Sequence, residues 1–227
     1  MRKYDLVASL GANCSAAHNL RYRGMRPYSL PLDWVYIEDD KPMKWLVDAF
    51  ETKFADFFQY ENLKLLPPTS EHDVIYQDSV SGFIFPNHFQ THMQNKKDYD
   101  IVADKMRRRV CRLFEKINSA SNVLFIVAAS RKLDLDNIVA QKNKLESLYP
   151  NKQFDFEVMM FDSGSDTDEC LPGVHVRTFA RKMNLYDFNK TNYEWAFLDD
   201  IKIRDKKRAR TLLSVKILKR KLKVELI

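Results

Sequence analysis

From Asn122 to Phe179 the chain alternates short, almost wholly apolar runs with a longer amphipathic stretch. Asn122–Ala128 reads as a strand, Leu135–Leu148 as a helix, Phe154–Phe161 as a second strand and Val174–Phe179 as a third. Apolar runs that lack polar alternation belong to strands covered on both faces. Strands separated by helices of about ten to fifteen residues need crossover connections, which are right-handed and give a mainly parallel sheet. The pattern predicts an α/β fold, a three-layer α/β/α sandwich of Rossmann-like or flavodoxin-like type. A chain of 227 residues has room for one such domain. The expected division is a single domain over 1–200 and a basic, helical tail over 201–227.

The first half fits the same scheme with more interruption. Tyr4 to Leu10 reads as a strand ending at Gly11, and Cys14 to Arg23 as a helix closed by Gly24. Two prolines keep Pro27 to Val35 largely extended. Pro42 to Phe58 carries a helical stripe of apolar residues, expected to pack as core. Val74–Tyr76 and Gly82–Phe85 read as paired strands, with Pro86, Asn87 and His88 at the exit of the second. A basic amphipathic helix is expected from Tyr99 to Asn118, and an acidic surface loop from Asp162 to Glu169.

Several function classes are excluded by what is missing. Five glycines leave no P-loop and no dinucleotide fingerprint, and the Gly-x-Ser-x-Gly elbow is absent. The three cysteines, Cys14, Cys111 and Cys170, form no disulfide framework, and no Cys/His cluster has zinc spacing, so neither a cofactor nor a metal is expected. A reducing, cytoplasmic setting fits this usage. No run approaches the roughly 20 apolar residues that cross a bilayer. Net charge is +6, but residues 201–227 hold eleven Lys or Arg against Asp205 and Glu225, a local +9, which leaves −3 for residues 1–200. The body is therefore not a nucleic-acid binder by charge. Within the tail, Leu212, Val215, Leu218 and Leu222 fall near one helical face and lysines gather elsewhere, the pattern of a helix lying on an anionic membrane surface through residues 211–227. A terminal helix packing on its own domain is the simpler reading, and RNA binding, for which there is no motif, ranks third.

Chemistry concentrates at Ser9-Leu10-Gly11-Ala12-Asn13-Cys14-Ser15. The turn after the first strand of an open parallel sheet delivers its residues to the carboxyl ends of the strands, where ligands collect. A thiol at the first turn of a helix faces unpaired amides and the positive end of the dipole, which is expected to lower its pKa. Gly11, Asn13 and the backbone at Cys14 or Ser15 are the candidates for holding an oxyanion or substrate. As base, His88 is the first choice and His92 the fallback, while His18, one turn along the helix from Cys14, reads as a surface residue. An acid would orient the imidazole. Asp33 stands out inside the apolar segment Leu30-Pro31-Leu32-Asp33-Trp34, with Asp78 as the alternative. Each has a plainer reading: a buried small hydrophobe for Cys14, a loop histidine bonded to backbone for His88, a turn acid for Asp33. Cys111, within a helix, and Cys170, among acids, are not expected to act as nucleophiles.

These residues, together with Leu20-Arg21-x-x-Gly24, Arg26, Ser29, Gly82-Phe83-x-Phe85, His88-Phe89 and the helix Lys105–Phe114, resemble a bacterial and viral family described as putative papain-like cysteine peptidases, sometimes found beside surface-polysaccharide genes. The resemblance spans roughly residues 4–160 and implies Cys14 and His88 as functional positions, without a substrate. Two positions depart from the family pattern: Phe89 follows the histidine where Asp is usual, and Leu32 precedes Asp-Trp where Phe is common. The expected function is a cysteine-dependent hydrolase, peptidase or amidase, or an acyl transferase, acting on a peptide, glycan or other small molecule. The alternative is a non-catalytic glycan- or ligand-binding module in surface-polysaccharide assembly.

Overall fold

The structure is a computed structural model that describes residues 1–11, 13–36, 48–68, 74–86, 88–93, 95–130, 133–182 and 193–204. In chain order its strands are β1 (Arg2–Tyr4), β2 (Leu6–Ser9), β3 (Leu63–Leu66), β4 (Ile75–Asp78), β5 (Ile84–Pro86), β6 (Asn122–Ala129), β7 (Gln153–Phe161), β8 (Thr167–Leu171), β9 (Val174–Phe179) and β10 (Ile201–Ile203). Its three long helices are α1 (Ser15–Tyr22), α2 (Lys96–Ser119) and α3 (Leu135–Leu148), with 3₁₀ turns at Tyr60–Asn62 and Tyr193–Asp200.

The central sheet runs in the order β2-β6-β7-β9-β8. The first four strands are parallel, and β8 returns antiparallel along β9. β1 pairs in parallel with β10, and β3-β4-β5 form a separate antiparallel sheet. The fold is therefore mixed α/β with a mostly parallel sheet and smaller additional sheets.

Alternation along the strands divides the core in two. Val123, Phe125 and Val127 of β6, with Phe154, Phe156 and Val158 of β7, meet α2 through Val102, Met106, Leu113 and Ile117, and α3 through Ile138 and Leu145. Leu124, Ile126 and Ala128, with Met159 and Phe161, belong to the second cluster, covered by Ala16 and Leu20 of α1 and by Trp195 and Leu198. The helices on the first side start where the chain supplies caps. Asn95 accepts from the amides of Lys97 and Asp98 ahead of α2, and Asp134 from those of Asp136 and Asn137 ahead of α3.

Five expectations change. The strand expected over Tyr4–Leu10 is broken at Asp5, whose N–H bonds to the carbonyl of Asn122 while its carboxylate takes the amides of Ser121 and Asn122. The helix expected over Pro42–Phe58 lies partly outside the described residues, and its end is wrong: helix is present at 48–51, after which Lys53, Phe54 and Phe58 take left-handed backbone. Packing of Phe54, Phe57 and Phe58 against Phe83, Phe85, Phe89, Phe114 and Tyr99 overrides the helical period there. The acidic loop 162–169 is interrupted by β8, since Thr167–Leu171 pairs with β9 around Pro172 and Gly173. Strand β3 was not expected at all. Of the tail, 201–203 is a strand, and the proposed helix 211–227 lies outside the described residues.

Candidate functional site

The Cys14 turn follows the carboxyl end of β2 and runs along the last residues of β6. Leu10 N–H donates to the Ile126 carbonyl at 2.9 Å, and the chain then reverses through Gly11, whose φ is +85°. A Cβ on Gly11 would stand 2.9 Å from Val35 Cγ2, so conformation and space both demand glycine. Asn13 ties the turn to the sheet. Its buried amide donates to the Ala128 carbonyl at 2.5 Å, and its Oδ1 accepts from Ser15 N–H at 2.8 Å and Ser15 Oγ at 2.5 Å. Cys14 follows as the half-buried N-cap residue of α1, and its thiol makes no cap hydrogen bond.

Burial pushes the Cys14 thiol up, and the cysteine's own backbone N–H offsets only part of this. The expected lowering by the helix terminus is thus outweighed, because the sulfur is taken out of water by packing. At neutral pH the group is a thiol.

Facing the turn is the segment from Arg26 to Tyr36. Leu32 and Val35 lie against Gly11, and the edge of the Trp34 ring meets the His18 ring at a centroid distance of 4.6 Å. Since His18 N–H donates to the Cys14 carbonyl, the imidazole stands one helical turn from the thiol on the same face. Asp33, with no exposed surface, pairs with the Arg26 guanidinium and accepts the Leu30 N–H at 2.7 Å. Burial pushes its carboxyl up, against the pull of Arg26 and that amide. Arg26 in turn lies 5.1 Å over the Trp34 ring, and Arg112 of α2 donates to the Ser29 carbonyl at 2.6 Å. The segment is pinned from both ends.

His88 comes just after β5, at the strand exit. Its Nε2 is 3.0 Å from the Trp34 carbonyl, an acceptor, so Nε2 carries the proton and Nδ1 keeps a lone pair. Burial lowers its pKa to about 4, with Arg109 and Lys105 adding to the effect. His18 is likewise lowered, by burial and then by Arg26 and Arg21. Both rings are neutral at pH 7.

The structure thus brings Cys14, His18, Trp34 and His88 into one chain of contacts, with Gly11, Asn13 and Ser15 shaping the turn. Asp33 is not bonded to an imidazole; it anchors the loop whose next residue, Trp34, orients His88. Among the described residues no hydrogen bond joins the thiol to an imidazole. Asp78 serves a hairpin, accepting the amides of Phe58, Val80 and Ser81. His92 is exposed, and His72 and Ala12 lie outside the described residues. Cys111 and Cys170 are exposed, on α2 and β8. A cavity of about 370 Å³ lies elsewhere, against β8, β9 and Tyr193–Phe197, and holds none of these groups. The Trp34 carbonyl and the Arg26–Asp33 pair were missed as a unit. Their only sequence signal was an arginine seven residues before a buried acid.

A family model described as "putative papain-like cysteine peptidase" matches residues 5–164, a span that takes in the Cys14 turn, the Arg26–Tyr36 segment and His88. No curated protein and no solved structure matches the chain. Among the described residues no helix is long and apolar enough to cross a membrane.

Proposed function

The chain belongs to the putative papain-like cysteine peptidase family, and from that premise we propose that it is a cysteine-dependent hydrolase or acyl transferase with Cys14 as nucleophile and His88 as base. The observation that carries the reading is the Trp34 carbonyl on His88 Nε2, in the segment whose Leu32 and Val35 lie against Gly11 of the Cys14 turn. A carbonyl that holds the Nε2 proton does for this ring what an orienting side chain does in other nucleophile–histidine pairs: it fixes the tautomer with Nδ1 ready to accept.

The resting pair is neutral, so the thiol proton moves during attack. Sγ adds to the substrate carbonyl carbon as His88 Nδ1 takes the proton. The Cys14 N–H beside the sulfur donates to the oxyanion, with Asn13 and Ser15 holding that amide in place. Collapse breaks the bond to the leaving amine or alcohol, which receives the proton from the imidazolium and leaves a thioester on Cys14. Water, or a hydroxyl of a glycan acceptor, then attacks the thioester, with His88 again the base. His18 is the second candidate for that base, because of its place one turn from Cys14.

The reading extends to the rest of the molecule. The two clusters flanking the central sheet support a three-layer sandwich of Rossmann-like type, and the basic tail supports a peripheral contact with anionic membrane through residues 211–227.

The test is hydrolysis of a panel of peptide, amide and acyl-ester substrates. Activity should vanish in Cys14→Ala, fall about 10²-fold or more in His88→Gln, and change little in Cys111→Ser. Full activity in Cys14→Ala would overturn Cys14 as the nucleophile, and a parent chain that hydrolyses nothing on the panel would leave the binding module, which the raised thiol favours. A loss confined to His18→Gln would move the base to His18.

A further inference from the structure

We propose that the β8–β9 hairpin carries a divalent-metal site of zinc type, with Asp168, Cys170 and His175 as its protein ligands. The family match ends at Phe161-Asp162-Ser163-Gly164, before this hairpin begins, and none of the three takes part in the Cys14 chemistry.

Strand geometry gathers the three side chains. Asp168 and Cys170 are two residues apart on β8 and so project from one face. The antiparallel register sets Cys170 directly opposite His175, so the imidazole joins them on that face. One oxygen of Asp168, the Cys170 sulfur and a ring nitrogen of His175 all lie within 4.8 Å of one another. Tetrahedral zinc with bonds of about 2.0–2.3 Å sets its ligand atoms roughly 3.3–3.8 Å apart. Small rotations close the difference, because Asp168 and Cys170 are exposed.

A second observation is independent of the cluster. Ligating histidines donate their other ring nitrogen to a carboxylate or carbonyl, which fixes the ring and raises its basicity. Such a carboxylate is built in beneath His175. Glu157 of β7 is fully buried, stands opposite His175 in the parallel register, and has Oε1 3.5 Å from Nδ1. That oxygen is paired with the Arg2 guanidinium, and its second lone pair remains to accept from Nδ1. In the structure Nδ1 accepts from Arg177 at 2.9 Å, and Nε2–H donates to Asp168.

Metal binding exchanges these roles. The thiol proton of Cys170 and one imidazole proton position are given up: Cys170 binds as thiolate, its proton passing to solvent, and the proton on Nε2 is replaced by one on Nδ1 directed at Glu157. Arg177 gives up its hydrogen bond to Nδ1 and keeps its ion pair with Glu157 Oε2. Thiolate, imidazole and carboxylate together suit zinc over calcium or magnesium, and three protein ligands leave a fourth position for water. No sequence motif announces this set, because its members meet only across a hairpin.

Titration of the reduced full-length chain with Co²⁺ tests it. The expected result is one equivalent bound with a thiolate-to-cobalt charge-transfer band in the near ultraviolet, displaced by Zn²⁺. Cys170→Ser should abolish the band and His175→Ala should weaken binding about tenfold or more. Cys14→Ser and Cys111→Ser should bind as the parent does. Unchanged far-ultraviolet circular dichroism of the first two variants shows that folding is not the cause. A parent chain with no thiolate band, or a band that survives Cys170→Ser, overturns the site. So does a band lost in Cys14→Ser, which would place the metal at the other end of the sheet.

Discussion

Replacing His88 by Gln removes a titrating group while keeping a side chain that can donate to the Trp34 carbonyl, and its effect on stability depends on pH. In the folded chain the imidazole titrates at about 4, against an ordinary value of 6.5. The unfolded chain therefore takes up the proton first on acidification. The stability that this site contributes is fully present above pH 6.5 and is lost as pH falls toward 4. At about 1.36 kcal/mol per pH unit, the whole shift is worth about 3 kcal/mol, of which about 2 kcal/mol is lost between pH 7 and pH 5. For a chain of this size that corresponds to roughly 4–8 °C in Tm. Urea unfolding of both proteins at pH 7 and pH 5 isolates the term, because all other titrations are shared. The native protein should lose about 2 kcal/mol more than His88→Gln over that interval. Equal losses would show that His88 is not held neutral by burial, and would remove the basis for a neutral thiol–imidazole pair.

Gly11→Ala should destabilise by about 2–3 kcal/mol, from positive φ and the approach to Val35, with a lower urea midpoint; a change below about 0.5 kcal/mol contradicts the packing described. Arg26→Leu strands a buried carboxylate and should cost about 3–5 kcal/mol, whereas the double variant Arg26→Leu/Asp33→Leu should recover part of it in the same unfolding assay. With iodoacetamide at pH 7, Cys111 and Cys170 should react ahead of half-buried Cys14, whose rate should climb at a higher pH than an ordinary thiol's. A Cys14 rate that plateaus below pH 6 would instead indicate a preformed thiolate–imidazolium pair.

What could be read from the sequence follows from locality. Leu135–Leu148 and Val174–Phe179 were placed to the residue, because caps, apolar runs and turn signals are local properties. The mainly parallel pairing of the central sheet followed from the strand–helix alternation, whereas its strand order did not. Cys14 was legible from its glycine-ended strand and the helix behind it, and His88 from a proline-marked strand exit. The Pro42–Phe58 stripe misled because phenylalanines spaced like a helix face pack equally well through left-handed turns in an aromatic cluster. β8 was hidden by its acids, which lie on an exposed edge strand where charge is tolerated. The role of Asp33 was misjudged for a related reason. A buried acid needs a partner, and nothing local says whether that partner is an imidazole or the arginine seven residues earlier.

Acyl transfer to the protein itself probes the nucleophile directly. The chain is mixed with an activated acyl ester at neutral pH, quenched in acid, and the modified peptide is located by mass spectrometry. The acyl group should sit on the peptide carrying Cys14, accumulate about 10²-fold more slowly in His88→Gln, and be missing from Cys14→Ala. Acylation confined to the exposed Cys111 or Cys170, or an equal rate without the imidazole, would contradict the assignment.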